Sequence, residues 1–202
     1  CQALTDVKIE NGIRTLGEST FLECDFLTEI ELPDSITSIG FSLFWHCKNL
    51  SCVQSGKHTL KIERDAFFGC QNLTKVQIPS CVRSVSRNAF KDTPLEVPDS
   101  DGFHIVDGKI LLSYSGDQQQ IHIPEGIVAI AEGAFLNNRD IRSVVCPDTL
   151  LGIGKKAFQN CDRLQRIQLH SGLTLIESSA FENCRQLKDI RLPDTLTALG
   201  DR

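Results

Sequence analysis

The sequence contains no methionine, one tryptophan and one tyrosine among its 202 residues. A chain without methionine is expected to be a mature fragment or an excised domain, so we expect additional repeats or domains of the same chain. Positive charge is not in excess, because 21 Lys and Arg stand against 26 Asp and Glu. The net charge of −5 argues against binding to nucleic acid or to an anionic membrane surface. No apolar run approaches the roughly 18 residues of a membrane span, so direct membrane insertion is not expected.

Sequence motifs of enzymes are also missing. The chain has no GxSxG, HExxH, GxGxxG or phosphate-loop motif, and its five histidines are scattered. The segment 98–102 resembles part of a calcium loop, but the closing Glu is absent and a turn is the favoured interpretation. We therefore expect neither catalytic residues nor a bound metal or cofactor.

What the sequence does contain is a repeat of 23 residues. Phenylalanine recurs at one position of the repeat, cysteine recurs three residues later, and Leu, Ile or Val, and Pro recur at three further positions. Five such columns in one register exclude coincidence and predict stacked repeats. The phenylalanine column consists of Phe21, Phe44, Phe67, Phe90, Phe135, Phe158 and Phe181.

One repeat shows the local structure that the pattern predicts. Apolar and acidic residues alternate near the end of segment 27–32, which indicates a short half-buried strand, and Pro33 ends it. Segment 36–39 is predicted to be a second short extended segment, and Gly40 permits a tight turn. An Ala-Phe pair followed by Cys, as in segment 157–161, predicts one or two helical turns.

Stacking of these units predicts an α/β repeat solenoid, because no single unit can bury its apolar face alone. Parallel strands about 4.8 Å apart and right-handed connections are expected. We expect one solenoid domain over 1–202, with both chain ends lying within a repeat. Units are regular over 1–93 and 121–202, and an irregular unit with a β-hairpin occupies 94–120. Asp-Gly at 107–108, between two apolar runs, is a strong signal for a type I′ hairpin turn.

The repeat resembles a known family. LTEIELPDSITSIG (27–40) followed by Phe44 and Cys47, and the later units such as IGKKAFQNCDRLQRIQL, are similar to the BspA-type leucine-rich repeat of bacterial surface proteins. The resemblance implies a curved right-handed superhelix with one parallel sheet on the concave face and short helical turns on the convex side. It also implies an extracellular or cell-surface location, adhesion and protein binding, with no catalytic residues in the motif.

The nine cysteines allow metal binding, disulfides or core packing. Zinc sites need closely spaced pairs, and the chain has no CxxC. Side chains at equivalent positions of stacked coils point the same way, so core packing is favoured over disulfides. We expect Cys146 to be core, and Cys52 and Cys81 to be the most exposed thiols. The in-register column is Cys1, Cys24, Cys47, Cys70, Cys161 and Cys184.

Two surfaces are candidates for binding a partner. On the turn side, which is formed by the segments around the Phe and Cys columns, the register predicts an apolar patch in the first repeats. The alternatives are that a flanking segment covers these side chains or that they tilt into the core. The patch is formed by Leu22, Phe26, Phe41, Trp45 and Phe68. On the concave face, the register predicts a polar surface of mixed charge without aromatic residues, which argues against sugar binding there. Such a surface suits either a protein partner or plain solvation. The residues of that face are Glu29, Glu31, Gln54, Lys75, Gln77, His122, Arg166, Gln168 and Arg191.

These features predict a non-catalytic protein-recognition or adhesion module of a bacterial cell-surface or secreted protein. Its partner is an unidentified protein, with host or matrix proteins as candidates. The alternative is a purely structural spacer that presents another domain. A glycan-binding protein or an enzyme is less well supported, because the required motifs are missing.

Overall fold

The structure is a computed structural model that describes residues 3–201. Within that range it consists of short β-strands and turns, with no helix and hence no helix that could cross a membrane. The chain divides into two compact units, Cys1–Val97 and Pro98–Arg202. Each is a repeat solenoid of parallel strands.

The first unit contains two parallel three-stranded sheets. Its longer strands pair in the order β1-β3-β5, and its two-residue strands pair in the order β2-β4-β6. Partners are offset by one repeat, as in Ile30 opposite Val53 and Val53 opposite Val76. The six strands are β1 (Glu29–Glu31), β2 (Ser38–Ile39), β3 (Cys52–Gln54), β4 (Lys61–Ile62), β5 (Lys75–Gln77) and β6 (Ser84–Val85).

The second unit contains one parallel three-stranded sheet and one mixed six-stranded sheet. The first has the order β13-β11-β9 and the second the order β15-β14-β12-β10-β8-β7. Only the pair β7–β8 is antiparallel among the pairs described. The nine strands are β7 (Phe103–Val106), β8 (Ile110–Tyr114), β9 (Gln120–His122), β10 (Ala129–Ile130), β11 (Ser143–Val145), β12 (Gly152–Ile153), β13 (Arg166–Gln168), β14 (Leu175–Ile176) and β15 (Ala198–Leu199).

The hairpin of the second unit turns at Asp107 and Gly108. Both residues have positive φ, 51° and 62°, as a type I′ turn requires. The strand β8 then pairs in parallel with β10, so the hairpin is part of the six-stranded sheet. The Asp-Gly signal in the sequence thus marks a hairpin turn in the structure.

The core of each unit is built around a row of aromatic rings. In the first unit, Phe44 stacks on Phe21 and on Phe67 with ring centroids 5.5 and 5.4 Å apart. In the second, Phe135 and Phe158 stack at 4.8 Å. Offset stacking at these distances adds to the burial of the rings. The phenylalanine column is therefore core, and only Phe181 of its seven members is partly exposed.

The predicted helical turns are wrong. Two residues in each such segment adopt the left-handed conformation, for example Lys156 with φ 58° and Asn160 with φ 62°, and a right-handed helix cannot contain them. Alternate N–H groups also donate to the neighbouring coil instead of along their own segment, as from Phe158 to the Ala180 carbonyl at 2.8 Å. On the turn side, backbone hydrogen bonds therefore join each coil to the next.

The cysteine column lies in the core, as predicted. Cys24, Cys47, Cys70, Cys161 and Cys184 are buried; Cys1 lies outside the described residues. The thiol of Cys70 donates to the Phe44 carbonyl at 3.0 Å, and the other three after Cys24 bond in the same way to the carbonyl 26 residues earlier. This hydrogen bond satisfies the weak thiol donor without a disulfide or a metal.

Candidate functional site

The apolar patch predicted on the turn side comprises Leu22, Phe26, Phe41, Trp45 and Phe68. Phe26 is 58% exposed, and the other four are half-buried. The structure brings Trp45 and Phe68 together, with ring centroids 6.2 Å apart and 14° between the planes. Phe41 lies under a guanidinium, with Arg64 Cζ 5.0 Å from its ring centroid. Phe26 has no ring contact among the described residues.

His46 belongs to this patch, although sequence reasoning did not include it. Its ring centroid is 3.9 Å from that of Trp45 and 5.6 Å from that of Phe68. Its other neighbour is Gly69, one repeat later, where a Cβ would come within 2.9 Å of the imidazole. His46 and Gly69 are 23 residues apart and so occupy the stacked position next to each other. The glycine at that position was the signal in the sequence that the imidazole has room to pack there.

The predicted face of the first unit is formed by the exposed side chains of β1, β3 and β5. Glu29, Glu31, Gln54, Lys75 and Gln77 are all exposed. Gln54 Nε2 lies 3.5 Å from Glu31 Oε1, so two of these residues are at hydrogen-bond distance. Glu29, Glu31 and Gln54 line a depression of about 550 Å³, and two further acidic residues, Asp6 and Glu10, line it as well. The face is acidic and shows no aromatic platform.

The predicted face of the second unit is formed by β9, β11, β13 and the following coil. His122, Arg166, Gln168 and Arg191 are exposed. They line a depression of about 490 Å³, whose apolar part includes Val145 and Leu169. Arg191 lies outside the strands, in the coil that follows β13. The face of the first unit is thus acidic and that of the second unit is basic, whereas the sequence pattern predicted one face of mixed charge.

Metal binding finds no support in the part of the chain that the structure describes. No group of three or more His, Cys, Asp or Glu residues lies close enough to hold an ion. The polar side chains that are close together form pairs, such as Lys57 with Asp34 at 3.1 Å, and short chains, such as His170 between Asp148 and Gln168.

The buried thiols have unusual acid–base properties. Burial raises the pKa of Cys47, Cys146 and Cys161 to about 12 and that of Cys184 to about 11. Burial also raises the pKa of Cys70. Cys52 and Cys81 are the only described cysteines that are not buried, and Cys81 donates to the Lys57 and Thr59 carbonyls at 3.2 Å. The five thiols with a raised pKa remain protonated where ordinary thiols ionise.

Raising the pH above about 8.5 is expected to lower the free energy of unfolding. In the unfolded chain these thiols ionise at their ordinary pKa near 8.5. The folded state keeps the protons, so its stability is complete below that pH and is lost as the pH approaches 11–12. We expect a loss of several kcal/mol between pH 8.5 and 10, since each of the five thiols with a raised pKa contributes up to about 1.4 kcal/mol per pH unit above its unfolded pKa. Urea unfolding in reducing buffer measures this.

The matched control for this titration is Cys146→Ala, which removes one buried thiol. Its stability is expected to fall less steeply with pH than that of the wild-type chain, because one fewer group titrates on unfolding. A free energy of unfolding that is constant between pH 8 and 10 would contradict the argument.

The sequence matches the model of a known protein family. A model described as BspA type leucine rich repeat region matches six copies in the chain, over residues 1–99 and 109–202. The chain belongs to this family. The predicted resemblance is confirmed, and the 23-residue columns are the repeat of that family. A search of curated proteins found no match.

Several solved structures are similar to this chain. A leucine-rich repeat protein from Bacteroides ovatus is 26% identical over 94% of this chain and 43% of its own, with a TM-score of 0.43. The pneumococcal vaccine antigen PcpA is 28% identical over 87% of this chain and 48% of its own, with a TM-score of 0.49. A leucine rich cell surface protein from Faecalibacterium prausnitzii is 22% identical over 98% and 76%, with a TM-score of 0.44. The chain spans less than half the length of the first two.

Proposed function

We propose that this chain is a non-catalytic protein-recognition and adhesion module of a bacterial cell-surface or secreted protein. The observation that carries the proposal is the apolar patch of the first unit, where Phe26 is 58% exposed and Trp45 is half-buried beside Phe68. Apolar residues gathered at a surface mark interaction sites. Tryptophan is enriched among the residues that dominate binding energy.

Binding by this patch depends on rigid display. The backbone around it is tied to the next coil, by His46 N–H to the Phe68 carbonyl at 2.7 Å and by Phe44 N–H to the Ala66 carbonyl at 2.8 Å. Side chains held in this way lose little conformational entropy when a partner binds. The repeat scaffold therefore supplies preorganisation, and the patch supplies the contact area.

The partner is an unidentified protein, with host or matrix proteins as candidates, and the location is outside the cell. Membership in the BspA type family supports both parts of this proposal, and leucine-rich repeats in general are scaffolds for contacts. Nucleic acid is not favoured as a partner, because the net charge of −5 repels phosphate.

Trp45→Ala is expected to weaken partner binding at least tenfold. The measurement is biosensor binding of the chain to a panel of purified extracellular matrix proteins. Phe26→Ala should weaken the same interaction, and its exposed ring contributes little to folding. Val97→Ala is the matched control, since Val97 is 64% exposed outside the patch. Its binding should equal that of the wild-type chain.

Two outcomes contradict the proposal. If no protein of the panel or of a surface-labelled host-cell lysate binds, the spacer alternative is favoured. If a partner binds and both Trp45→Ala and Phe26→Ala leave its affinity unchanged, the patch is not the contact site. A glycan array run with the same variants tests the less well supported glycan-binding alternative.

A further inference from the structure

The strand face of the second unit, formed by β9, β11, β13 and the coil after β13, carries exposed cationic side chains. Arg166 and Arg191 are exposed on the face, and Lys188 lines an adjoining depression together with Arg166 and Asp189. Among the described residues, none of these three cations forms an ion pair, whereas Lys57, Lys61, Lys109 and others do. The face therefore presents positive charge that the chain itself does not neutralise.

This charge is a property of the second unit and not of the repeat. In the first unit, the column of Arg166 carries Asp6, Glu29 and Lys75, and the column of Arg191 carries Lys8 and Glu31, so acidic residues outnumber basic ones there. Its lysine at the edge, Lys8, is paired with Glu10 at 2.9 Å. One repeat pattern thus supports an acidic face in one unit and a basic face in the other. A charged partner would therefore bind one of these two faces in preference to the other.

The surroundings of the arginines indicate what kind of anion fits. Val145 and Leu169 give the depression an apolar part, and Gln120 and Gln168 provide amide groups. Guanidinium groups pair with carboxylates through two parallel hydrogen bonds. A segment that alternates carboxylates with apolar side chains would use both parts of the depression.

One residue argues for a polypeptide over a uniform polyanion. Asp189 occupies the position one repeat after Arg166 and lies two residues before Arg191, so a negative charge interrupts the basic face. A nucleic acid or sulfated polysaccharide places anions at every step and would be repelled there. A polypeptide can set an uncharged or basic residue opposite Asp189. The chain's net charge of −5 disfavours a polyanion further.

We propose that the strand face of the second unit binds an acidic polypeptide segment through Arg166 and Arg191. The inference rests on the proposed function, since it names a partner class for a protein-recognition module. It concerns a different unit from the apolar patch, so each can fail separately.

The test is fluorescence anisotropy with a labelled, end-blocked peptide of alternating Glu and Val. We expect binding that weakens at least tenfold when salt is raised from about 0.05 M to about 0.5 M, because exposed charges are screened. The same peptide with Lys in place of Glu should not bind. R166E/R191E should weaken binding of the Glu peptide at least tenfold, with an unchanged circular dichroism spectrum.

R139E/K155E is the matched control, because both residues are exposed in the second unit outside this face and the change in net charge is the same. The R139E/K155E variant should bind the Glu peptide with an affinity within about twofold of the wild-type value, because solvent and salt screen charges that lie away from the binding face. No binding of the Glu peptide, or an equal loss in R139E/K155E, overturns the proposal. So does stronger binding of heparin that R166E/R191E abolishes, which would make the face a polyanion site.

The two proposals give separable results. If the Glu peptide does not bind, but matrix-protein binding still depends on Trp45, then only the proposal for the strand face of the second unit is rejected. Peptide binding that depends on Arg166 and Arg191, without any effect of Trp45→Ala on partner binding, rejects the apolar patch alone.

Discussion

Phe67→Ala is expected to lower the free energy of unfolding by about 3–5 kcal/mol. The Phe67 ring is fully buried and stacks on Phe44 at 5.4 Å and on Phe90 at 5.1 Å. Removing it deletes the buried ring surface and both stacking contacts, and it leaves a cavity that the hydrogen-bonded coils cannot close. Chemical denaturation followed by circular dichroism measures the loss.

Phe26→Ala is the matched control for this substitution. It removes the same atoms from a ring that is 58% exposed, so a loss of about 0.5 kcal/mol or less is expected. Equal losses in the two variants would contradict the packing described for the aromatic row.

Gly56→Ala is expected to cost about 2–3 kcal/mol. Gly56 is buried, and a Cβ at this position would overlap the backbone carbonyl of Pro33 in the preceding coil. Backbone atoms cannot rotate away as a side chain can, so two coils must move apart. The measurement is the shift in the midpoint of chemical denaturation of the full chain.

Gly40→Ala provides the comparison in the same unit. A Cβ there meets only the Leu16 carbonyl oxygen at 3.7 Å, which is ordinary van der Waals contact. Its stability should lie within about 0.5 kcal/mol of the wild-type value or rise slightly, because alanine restricts the unfolded chain. A Gly56→Ala variant as stable as Gly40→Ala would show that the coils are not held at the distance described.

The stacking of the fold was predictable from the sequence because each column encodes a contact between coils. Glu29 pairs with Cys52, and Ile30 pairs with Val53, at the 23-residue offset that the columns predict. Pro33 stands two residues after the end of β1, where the ladder stops, since proline cannot donate to it. The buried cysteine column followed from the same register.

The turn side was predicted incorrectly because its conformation is set by non-local hydrogen bonds. The spacing of Phe158 and Cys161 fits a helix, but it fits equally a pair of turns. The N–H groups of Phe158 and Asn160 donate to Ala180 and Glu182 in the next coil, and that bonding imposes left-handed residues between the turns. The local signal for it is that Asn and Gly, which adopt this conformation readily, occupy several of these positions, including Gly133, Asn137 and Asn183.

The candidate surfaces were predictable in position and less so in character. The register identified Trp45 and Phe68 as neighbours, but the imidazole of His46 packed beside them depends on Gly69 and was missed. Side-chain columns also do not show which charges pair. Lys8 is paired with Glu10, whereas Arg166 has no ion-pair partner among the described residues, and neither fact can be read from the columns.

The two compact units carry different chromophores. The single tryptophan, Trp45, packs beside Phe68 in the first unit, and the single tyrosine, Tyr114, is buried between Phe103 and Phe135 in the second. Excitation at the red edge of the absorption band selects Trp45 and follows the first unit, whereas Tyr114 is followed through its own change in near-ultraviolet absorbance, because tryptophan absorbs wherever tyrosine does. In a repeat array the coincidence or separation of two such melting curves measures how strongly neighbouring blocks cooperate. This chain contains the optical reporters for that experiment in its native sequence.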